Sequence, residues 1–163
     1  MKPTKKIPLS YLKNPIHFLA LGFGSGLSPK APGTLGTVAV IPVYLLLSQL
    51  PLAYYIGLVV ALSLLGIAIC DYTSSKLEGH DHPAIVFDEF AGYLITMIAA
   101  PVSVFTVVAG FILFRLFDIL KPWPISWFDK KVAGGLGIML DDIVAGCISL
   151  LLLQLLIANE WVL

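Results

Sequence analysis

Four long apolar runs alternate with short segments that carry nearly all of the charge. The runs cover residues 35–50, 52–70, 90–114 and 143–157. Inside a bilayer such runs must be helices, because backbone N–H and C=O groups find no water there and have to bond within the segment. The pattern therefore predicts an all-α fold, namely a polytopic bundle of transmembrane helices.

The third run leaves the number of spans open, since Pro101 near its middle either kinks one helix or marks the turn between two. A single helix over 90–114 gives four spans and puts the basic loop that follows it opposite the other basic segments, against the positive-inside rule. The two groups are Lys2, Lys5, Lys6, Lys13 and Lys76, and Arg115, Lys121, Lys130 and Lys131. Two short or tilted helices that turn near Pro101 give about five spans, with every Lys and Arg cytoplasmic and Glu160 outside. We predict this second arrangement.

Composition agrees with a bilayer environment. The 163 residues are 58% hydrophobic, and the mean hydropathy of +0.94 exceeds what a soluble core needs. Ten basic and ten acidic residues balance to zero net charge, so nothing indicates a nucleic-acid partner. We predict one membrane-embedded domain over 1–163, in which 1–16 is an N-terminal cytoplasmic segment; the oligomeric state is not predicted.

Five carboxylates fall at predicted helix ends on the cytoplasmic side. They are Asp88, Glu89, Asp118, Asp141 and Asp142. Adjacent carboxylates repel one another, and oxygen-rich clusters of this kind select hard cations such as Mg²⁺. Helix capping is the alternative explanation, and it accounts for one acid per helix rather than for two adjacent pairs. The pattern predicts a Mg²⁺ site, without fixing the number of ions or which carboxylate is a base and which a ligand.

Basic residues near these acids are candidates for binding phosphate. Arg115 and Asp118 share a helical face at a spacing of three, and Arg115 and Lys121 offer a forked and a point-like contact to phosphate oxygens. Anchoring at the membrane interface, with Trp123 and Trp127, is the alternative role for this segment.

Two loops add further candidates. The glycine-rich segment 22–37 ends at a helix start, where backbone N–H groups of Gly33, assisted by Lys30 and Thr34, would face an anion; a flexible connector is the alternative. His82, which like His80 flanks Asp81, is a candidate acid or ligand, or else a solvated loop histidine.

Three linked blocks carry a family resemblance. They are GFGSGL at 22–27 with APGT at 31–34, HDH at 80–82 with IVFDE at 85–89, and RLFDILKPWPI at 115–125 with GIMLDDIVAG at 137–146. In combination and order they resemble the phosphatidylglycerophosphatase A family of bacterial inner membranes, from about His17 to Leu156.

The resemblance implies a Mg²⁺-dependent phosphatase of phospholipid biosynthesis. Its substrate would be the lipid phosphatidylglycerophosphate, its products phosphatidylglycerol and inorganic phosphate, and its site would face the cytoplasm. The chain has no Cys-x5-Arg loop and no Asp-x-Asp pair, so metal-assisted hydrolysis is the simplest scheme: the five acids hold one or two Mg²⁺ ions, and Arg115, Lys121 and Lys30 neutralise phosphoryl charge.

Two other functions use similar residues. A transporter or cation channel would place its acids near the bilayer midplane, often in paired repeats, whereas these acids are predicted at one interface. An alcohol phosphotransferase shares the membrane and the magnesium, but its long Asp-rich motif is missing from this sequence.

Overall fold

The computed structural model describes residues 7–77 and 82–159, and it is helical without strands in those ranges. In chain order the elements are a 3-10 helix Leu9–Lys13, α1 Pro15–Ala20, a second 3-10 helix Gly22–Leu27, α2 Pro32–Leu47, α3 Leu52–Ser74, α4 Phe87–Thr96, α5 Val104–Leu120, α6 Ile125–Lys131 and α7 Gly134–Ala158. The residues of the topology and motif predictions that lie outside the described ranges are Lys2, Lys5, Lys6, His80, Asp81 and Glu160. The all-α prediction is confirmed for the described residues.

The apolar run 90–114 is two helices, α4 and α5, as predicted. The chain leaves helical geometry at residues 97–103, which include Pro101. Ser103 then caps α5: its hydroxyl accepts a hydrogen bond from the Thr106 N–H, and the Thr106 side chain bonds back to the Ser103 N–H. The proline therefore marks a turn, and the capping box restarts the chain as a new helix.

The helices α2, α3, α4, α5 and α7 run in alternate directions along the bundle. Each end of the bundle therefore contains one end of each of these five helices. At one end Asp71, near the end of α3, bonds the Gly135 N–H at the start of α7. At the other end the Tyr55 hydroxyl, from early α3, donates to the Leu94 carbonyl late in α4. The connections at this second end, 48–51 and 97–103, contain no Asp, Glu, Lys or Arg. We call the two ends the charged end and the uncharged end.

Two helices of the described chain, α3 and α7, are long and apolar enough to cross a membrane by length and composition. α2 is apolar but shorter, with 16 residues. α4 has 10 residues, about 15 Å, which is half of a hydrocarbon core of about 30 Å. Every residue of α4 except Asp88 is buried, so this helix lies in the bundle interior and not on its surface.

The outer faces of the bundle are apolar and exposed, whereas its interior is closely packed. Large side chains such as Leu64 on α3, Ile112 on α5 and Leu151 on α7 point outward. Exposed apolar surface on this scale suits hydrocarbon and not water. Trp123 and Trp127 are exposed beside the charged end, which is typical of aromatic residues at a membrane interface.

Candidate active site

The crossing of α4 and α7 brings two pairs of acids together. A Cβ on Gly146 would lie 2.5 Å from the Gly92 carbonyl oxygen, and one on Gly92 would lie 2.8 Å from the Asp142 carbonyl oxygen. The two backbones therefore touch, which only glycine permits at this distance. Asp88 precedes Gly92 by four residues, as Asp142 precedes Gly146. Each acid pair therefore lies about one helical turn from the crossing, and the two pairs lie at the same height in the bundle.

Three of these acids form a tight cluster. One carboxylate oxygen each from Asp88, Glu89 and Asp142 lies within 4.8 Å of the other two. Asp88 Oδ1, Glu89 Oε2 and Asp142 Oδ2 are buried and accept no hydrogen bond from the described residues. Buried carboxylate oxygens without partners are costly, and they are the donor set that a hard divalent cation prefers. The cluster therefore fits a cation such as Mg²⁺ in donor type, spacing and charge.

Arg115 lies beside this cluster and pairs with two acids. Its Nη1 is 3.6 Å from Glu89 Oε1 and makes a closer ion pair with Asp118 Oδ2, one turn along α5. All three side chains are mostly buried. The Arg115 guanidinium therefore brings a positive charge into the site, and the two carboxylates fix its orientation.

Lys121 supplies the second positive charge. Its Nζ lies 2.6 Å from Asp129 Oδ1 and 2.5 Å from Asp141 Oδ2. Burial acts to lower the pKa of this ammonium, but the hydrogen bonds to Asp129 and Asp141 outweigh it and raise the pKa above its ordinary value. Lys121 therefore stays protonated at neutral pH.

The start of α2 closes the site on another side. A Cβ on Gly33 would fall on Glu89 Oε1 and lie 3.2 Å from Arg115 Nη1, so a larger residue here would displace the side chains of the site. No side chain of the described residues caps α2, whose preceding residue, Ala31, has a left-handed φ of 46°. The Gly33 and Thr34 N–H groups belong to the first turn, which has no intrahelical acceptor, and they lie at the positive end of a helix dipole.

These groups line one cavity of about 410 Å³. Its wall contains every predicted site residue except Lys30 and His82: Gly33, Thr34, Asp88, Glu89, Arg115, Asp118, Lys121, Asp141 and Asp142. These residues, from four separate chain segments, thus converge at the charged end.

Lys30 and His82 lie outside this wall. Lys30 is exposed, in a turn where its backbone N–H and C=O both bond the Ser28 hydroxyl. His82 is buried, accepts the Ala84 N–H at its Nδ1 at 3.2 Å and lines a neighbouring cavity of about 510 Å³ that shares Pro32 and Pro83 with the first. Their roles in phosphate binding or acid chemistry stay predictions.

Sequence analysis missed several residues of the wall. Asp129 is the charged one, and the others are Ala31, Pro32, Pro83, Ile85, Ile119, Val132, Gly137 and Ile138. Asp129 stands directly before Lys130 and Lys131 in a segment that reads as an ordinary solvated helix. Eight residues separate it from Lys121, which on one helix would be about 12 Å, so only the turn between α5 and α6 reveals the contact.

Comparison with known proteins gives consistent results along the chain. The sequence profile described as phosphatidylglycerophosphatase A matches residues 18–157. A phosphatidylglycerophosphatase A of Escherichia coli is 50% identical over 161 residues, which cover 96% of this chain and 92% of that protein. A phosphatidylglycerophosphatase A of Haemophilus influenzae is 48% identical over 145 residues, 88% of this chain and 87% of that protein.

A third relative has a different name. It is a Bacteroides thetaiotaomicron protein, provisionally named a phosphatidylinositol-3-phosphatase, that is 38% identical over 146 residues, 83% of this chain and 89% of its own length. No solved structure matches the chain. The predictions of the family and of a phosphatase are confirmed, and the chain belongs to the phosphatidylglycerophosphatase A family.

Proposed function

We propose that this chain hydrolyses the terminal phosphate monoester of phosphatidylglycerophosphate, with Mg²⁺ as cofactor, to give phosphatidylglycerol and inorganic phosphate. The names of the Escherichia coli and Haemophilus influenzae relatives support the substrate. The observation that carries the proposal is the buried cluster of Asp88, Glu89 and Asp142, with oxygens that lack partners, in one cavity with Arg115 and Lys121.

Asp88, Glu89 and Asp142 are the residues that would hold the metal. Asp141 has one buried oxygen, Oδ1, that is not bonded to Lys121, and Asp118 lines the same cavity, so either is placed to add a ligand. When bound, Mg²⁺ would polarise the phosphoryl group and make water more acidic.

The chain's own cations bind and orient the phosphate. A phosphate monoester is close to doubly negative at neutral pH, and Arg115 and Lys121, which both line the cavity, would pair with its oxygens. The N–H groups that begin α2 would donate to its remaining oxygens. Groups fixed before the substrate arrives stabilise developing charge without the cost of reorganisation.

An apolar face of α5 continues from the cavity and suits a lipid substrate. Ile119 lines the cavity and is 65% exposed. The exposed side chains that follow on α5 at helical spacing are Leu116, Ile112, Val108 and Phe105. Acyl chains lying along this face would remain in the hydrocarbon while the phosphate reaches the carboxylates, so the bilayer itself would provide proximity.

We further propose that α2, α3, α4, α5 and α7 form the five spans in a bacterial inner membrane, with the charged end in the cytoplasm. Lys13, Lys76, Lys130 and Lys131 lie in segments of that end, as the positive-inside rule expects. α4 is too short to cross alone, so residues 97–103 would have to complete this span at the uncharged end.

A transporter or channel is the alternative function from another class. It would need its carboxylates along a path between the two ends, and the connections of the uncharged end have none. The name of the Bacteroides relative gives an alternative substrate, phosphatidylinositol 3-phosphate, which offers the same chemistry of a phosphate monoester on a lipid.

The test is phosphate release by the purified full-length chain in mixed micelles. The lipids are phosphatidylglycerophosphate, phosphatidic acid and phosphatidylinositol 3-phosphate, each with Mg²⁺ and with a chelator. We expect the first lipid to be hydrolysed at the highest kcat/KM, and only with Mg²⁺. Preference for another lipid would refute the proposed substrate, and release with the chelator present would refute the cofactor. Ion flux into liposomes without any phosphate release would favour the transporter.

A further inference from the structure

The loop after α5 folds back so that α6 brings a carboxylate to Lys121, the residue directly after α5. Lys121 has a left-handed φ of 42° and turns the chain out of α5. Pro122 and Pro124 follow it, and α6 then packs through the fully buried Ile125. Asp129 thereby reaches Lys121 Nζ at 2.6 Å. α6 is therefore a short helix anchored on the bundle. Among the described residues, Asp129 is the residue of α6 that contacts a cation of the cavity.

Lys121 is held between two carboxylates of different exposure. The Asp141 side chain is 8% exposed and belongs to the interior of the cavity. The Asp129 side chain is 32% exposed and lies on the solvent-exposed side of the cavity, which we call its mouth. An ammonium has three N–H donors. Two are engaged by these carboxylates, which fix the ammonium in place and leave the third for a ligand in the cavity.

Without Asp129, Lys121 would have only the inner carboxylate. A lysine side chain has several free torsions, and the loss of one partner restores that freedom. The ammonium would then be drawn toward Asp141 and its acidic neighbours, away from the mouth where a phosphate enters. Its charge would compete with a cation for the buried oxygens instead of binding the substrate.

We propose that Asp129 is a positioning residue that holds the Lys121 ammonium at the mouth of the cavity, where it receives the phosphate of the substrate. The inference rests on the proposed function, because it assigns Lys121 to the phosphate of phosphatidylglycerophosphate. Asp129 would act through Lys121, since its ion pair among the described residues is with the Lys121 ammonium.

Two other roles for Asp129 predict different results. If Asp129 competes with phosphate for Lys121, its removal lowers KM. If Asp129 only stabilises α6, its removal lowers the unfolding temperature and acts independently of Lys121. A positioning role raises KM, leaves kcat nearly unchanged and disappears when Lys121 is absent.

The experiment is a double-mutant cycle with phosphatidylglycerophosphate in mixed micelles at saturating Mg²⁺. The variants are Asp129→Asn, Asp129→Glu, Lys121→Met, the double Lys121→Met/Asp129→Asn and, as a control on the same helix, Lys130→Ala. We expect Asp129→Asn to raise KM about tenfold with kcat within about twofold, because a weaker bond to a neutral amide oxygen replaces the charge-assisted hydrogen bond from Lys121. Asp129→Glu restores most of the affinity, and the double variant matches Lys121→Met.

A second readout is inhibition by the product. Inorganic phosphate has the same anionic oxygens as the substrate but no lipid part, so its inhibition constant should rise in Asp129→Asn by a factor similar to that for KM. Lys130→Ala should leave both constants and the unfolding temperature unchanged.

Each contrary result overturns the inference. A lower KM in Asp129→Asn identifies a competitor, and multiplicative effects in the double variant identify a role independent of Lys121. An unchanged KM in Lys121→Met removes the premise that Lys121 binds phosphate. Absence of phosphate release by the wild-type protein would instead refute the proposed function, so the two failures are distinguishable.

Discussion

The two ends of the bundle each contain a cavity of similar size, about 410 Å³ at the charged end and about 390 Å³ at the uncharged end. The first is lined by two pairs of adjacent acids, an arginine and a lysine. The second is lined by Tyr44, Ser48, Leu50, Leu52, Tyr55, Met97, Ala99, Ala100 and Pro101, without an ionisable acid or base other than the two phenols. Volume therefore does not distinguish the ends, and charge does.

The two ends also differ in the buried polar atoms that lack a hydrogen-bond partner among the described residues. The uncharged end has one, the buried Tyr44 hydroxyl, for which the described residues offer no partner. Among the described residues, the charged end has carboxylate oxygens of Asp88, Glu89, Asp141 and Asp142, and also Nε and Nη1 of Arg115. A single neutral hydroxyl costs far less than a buried charge, whereas several adjacent buried carboxylates repel one another until a cation or a bound proton offsets their charge. The comparison shows that converging charge, and not cavity volume, distinguishes the candidate site from the other end of the bundle.

Removal of one carboxylate from the cluster should have the largest effect. We expect Asp88→Asn and Asp142→Asn each to lower kcat/KM by about a hundredfold or more, since even outer contacts of metal sites carry factors of ten to a hundred. Phosphate release from phosphatidylglycerophosphate measures this. Asp71→Asn is the matched control, because it removes an acid outside the cavity yet keeps an oxygen to accept the Gly135 N–H. Near-wild-type rates in both cluster variants would contradict the assigned site.

A methyl group at the start of α2 should have the next largest effect. Gly33→Ala places a Cβ on Glu89 Oε1, so the loop, Glu89 or Arg115 has to move. A displacement of about 1 Å at an active site costs up to about a hundredfold, and we expect a decrease of kcat/KM between tenfold and that value. Gly57→Ala is the control, because nothing lies within 4 Å of its added Cβ. Equal activity of the two variants would show that the start of α2 takes no part.

Changes on the lipid-facing side should have a smaller effect that depends on the substrate. Ile119→Ser removes apolar surface beside the cavity and should raise KM for long-chain phosphatidylglycerophosphate about fivefold. It should leave KM for a short-chain, water-soluble analogue unchanged. Leu64→Ser is the control, since Leu64 is 64% exposed on α3, against 65% for Ile119, and lies outside the cavity wall. Equal effects on long and short substrates would argue against acyl chains on α5.

The uncharged cavity should tolerate loss of its polar atom. Tyr44→Phe removes a buried hydroxyl that has no partner among the described residues, so no hydrogen bond is lost. We expect unchanged kcat/KM and an unfolding temperature equal to or slightly above that of the wild type. A large loss of activity would mean that the uncharged end contributes to the reaction, and the contrast between the ends would fail.

Much of the fold could be predicted from the sequence, because apolar runs in a bilayer have few structural options. The split at Pro101 followed from the positions of lysine and arginine. The interior position of α4 could not be predicted, since an apolar helix that faces lipid and one that faces protein have the same composition. The crossing at Gly92 and Gly146 also needed the structure, although the repeated acid-to-glycine spacing was its trace in the sequence.

The candidate site divides in the same way. Adjacent acids at helix ends stand out because repulsion makes them costly without a function, and Asp88 and Asp142 were predicted for that reason. Asp129 was missed because one acid beside two lysines has an ordinary explanation in a solvated helix. Lys30 was included because it stands near a glycine-rich loop, but a turn at Ser28 leaves it outside the cavity wall. Sequence spacing identifies partners within a helix and not across a turn.

The most direct test of the central claim is cation binding, measured without turnover. Mn²⁺, a paramagnetic substitute for Mg²⁺, is titrated into the detergent-solubilised protein and followed by electron paramagnetic resonance, in the wild type, Asp88→Asn, Asp142→Asn and the double variant. If α4 and α7 share one site, each single variant weakens binding by about tenfold or more, and the double variant loses less than the product of the two effects. Wild-type affinity in both single variants would contradict a cation site at this crossing.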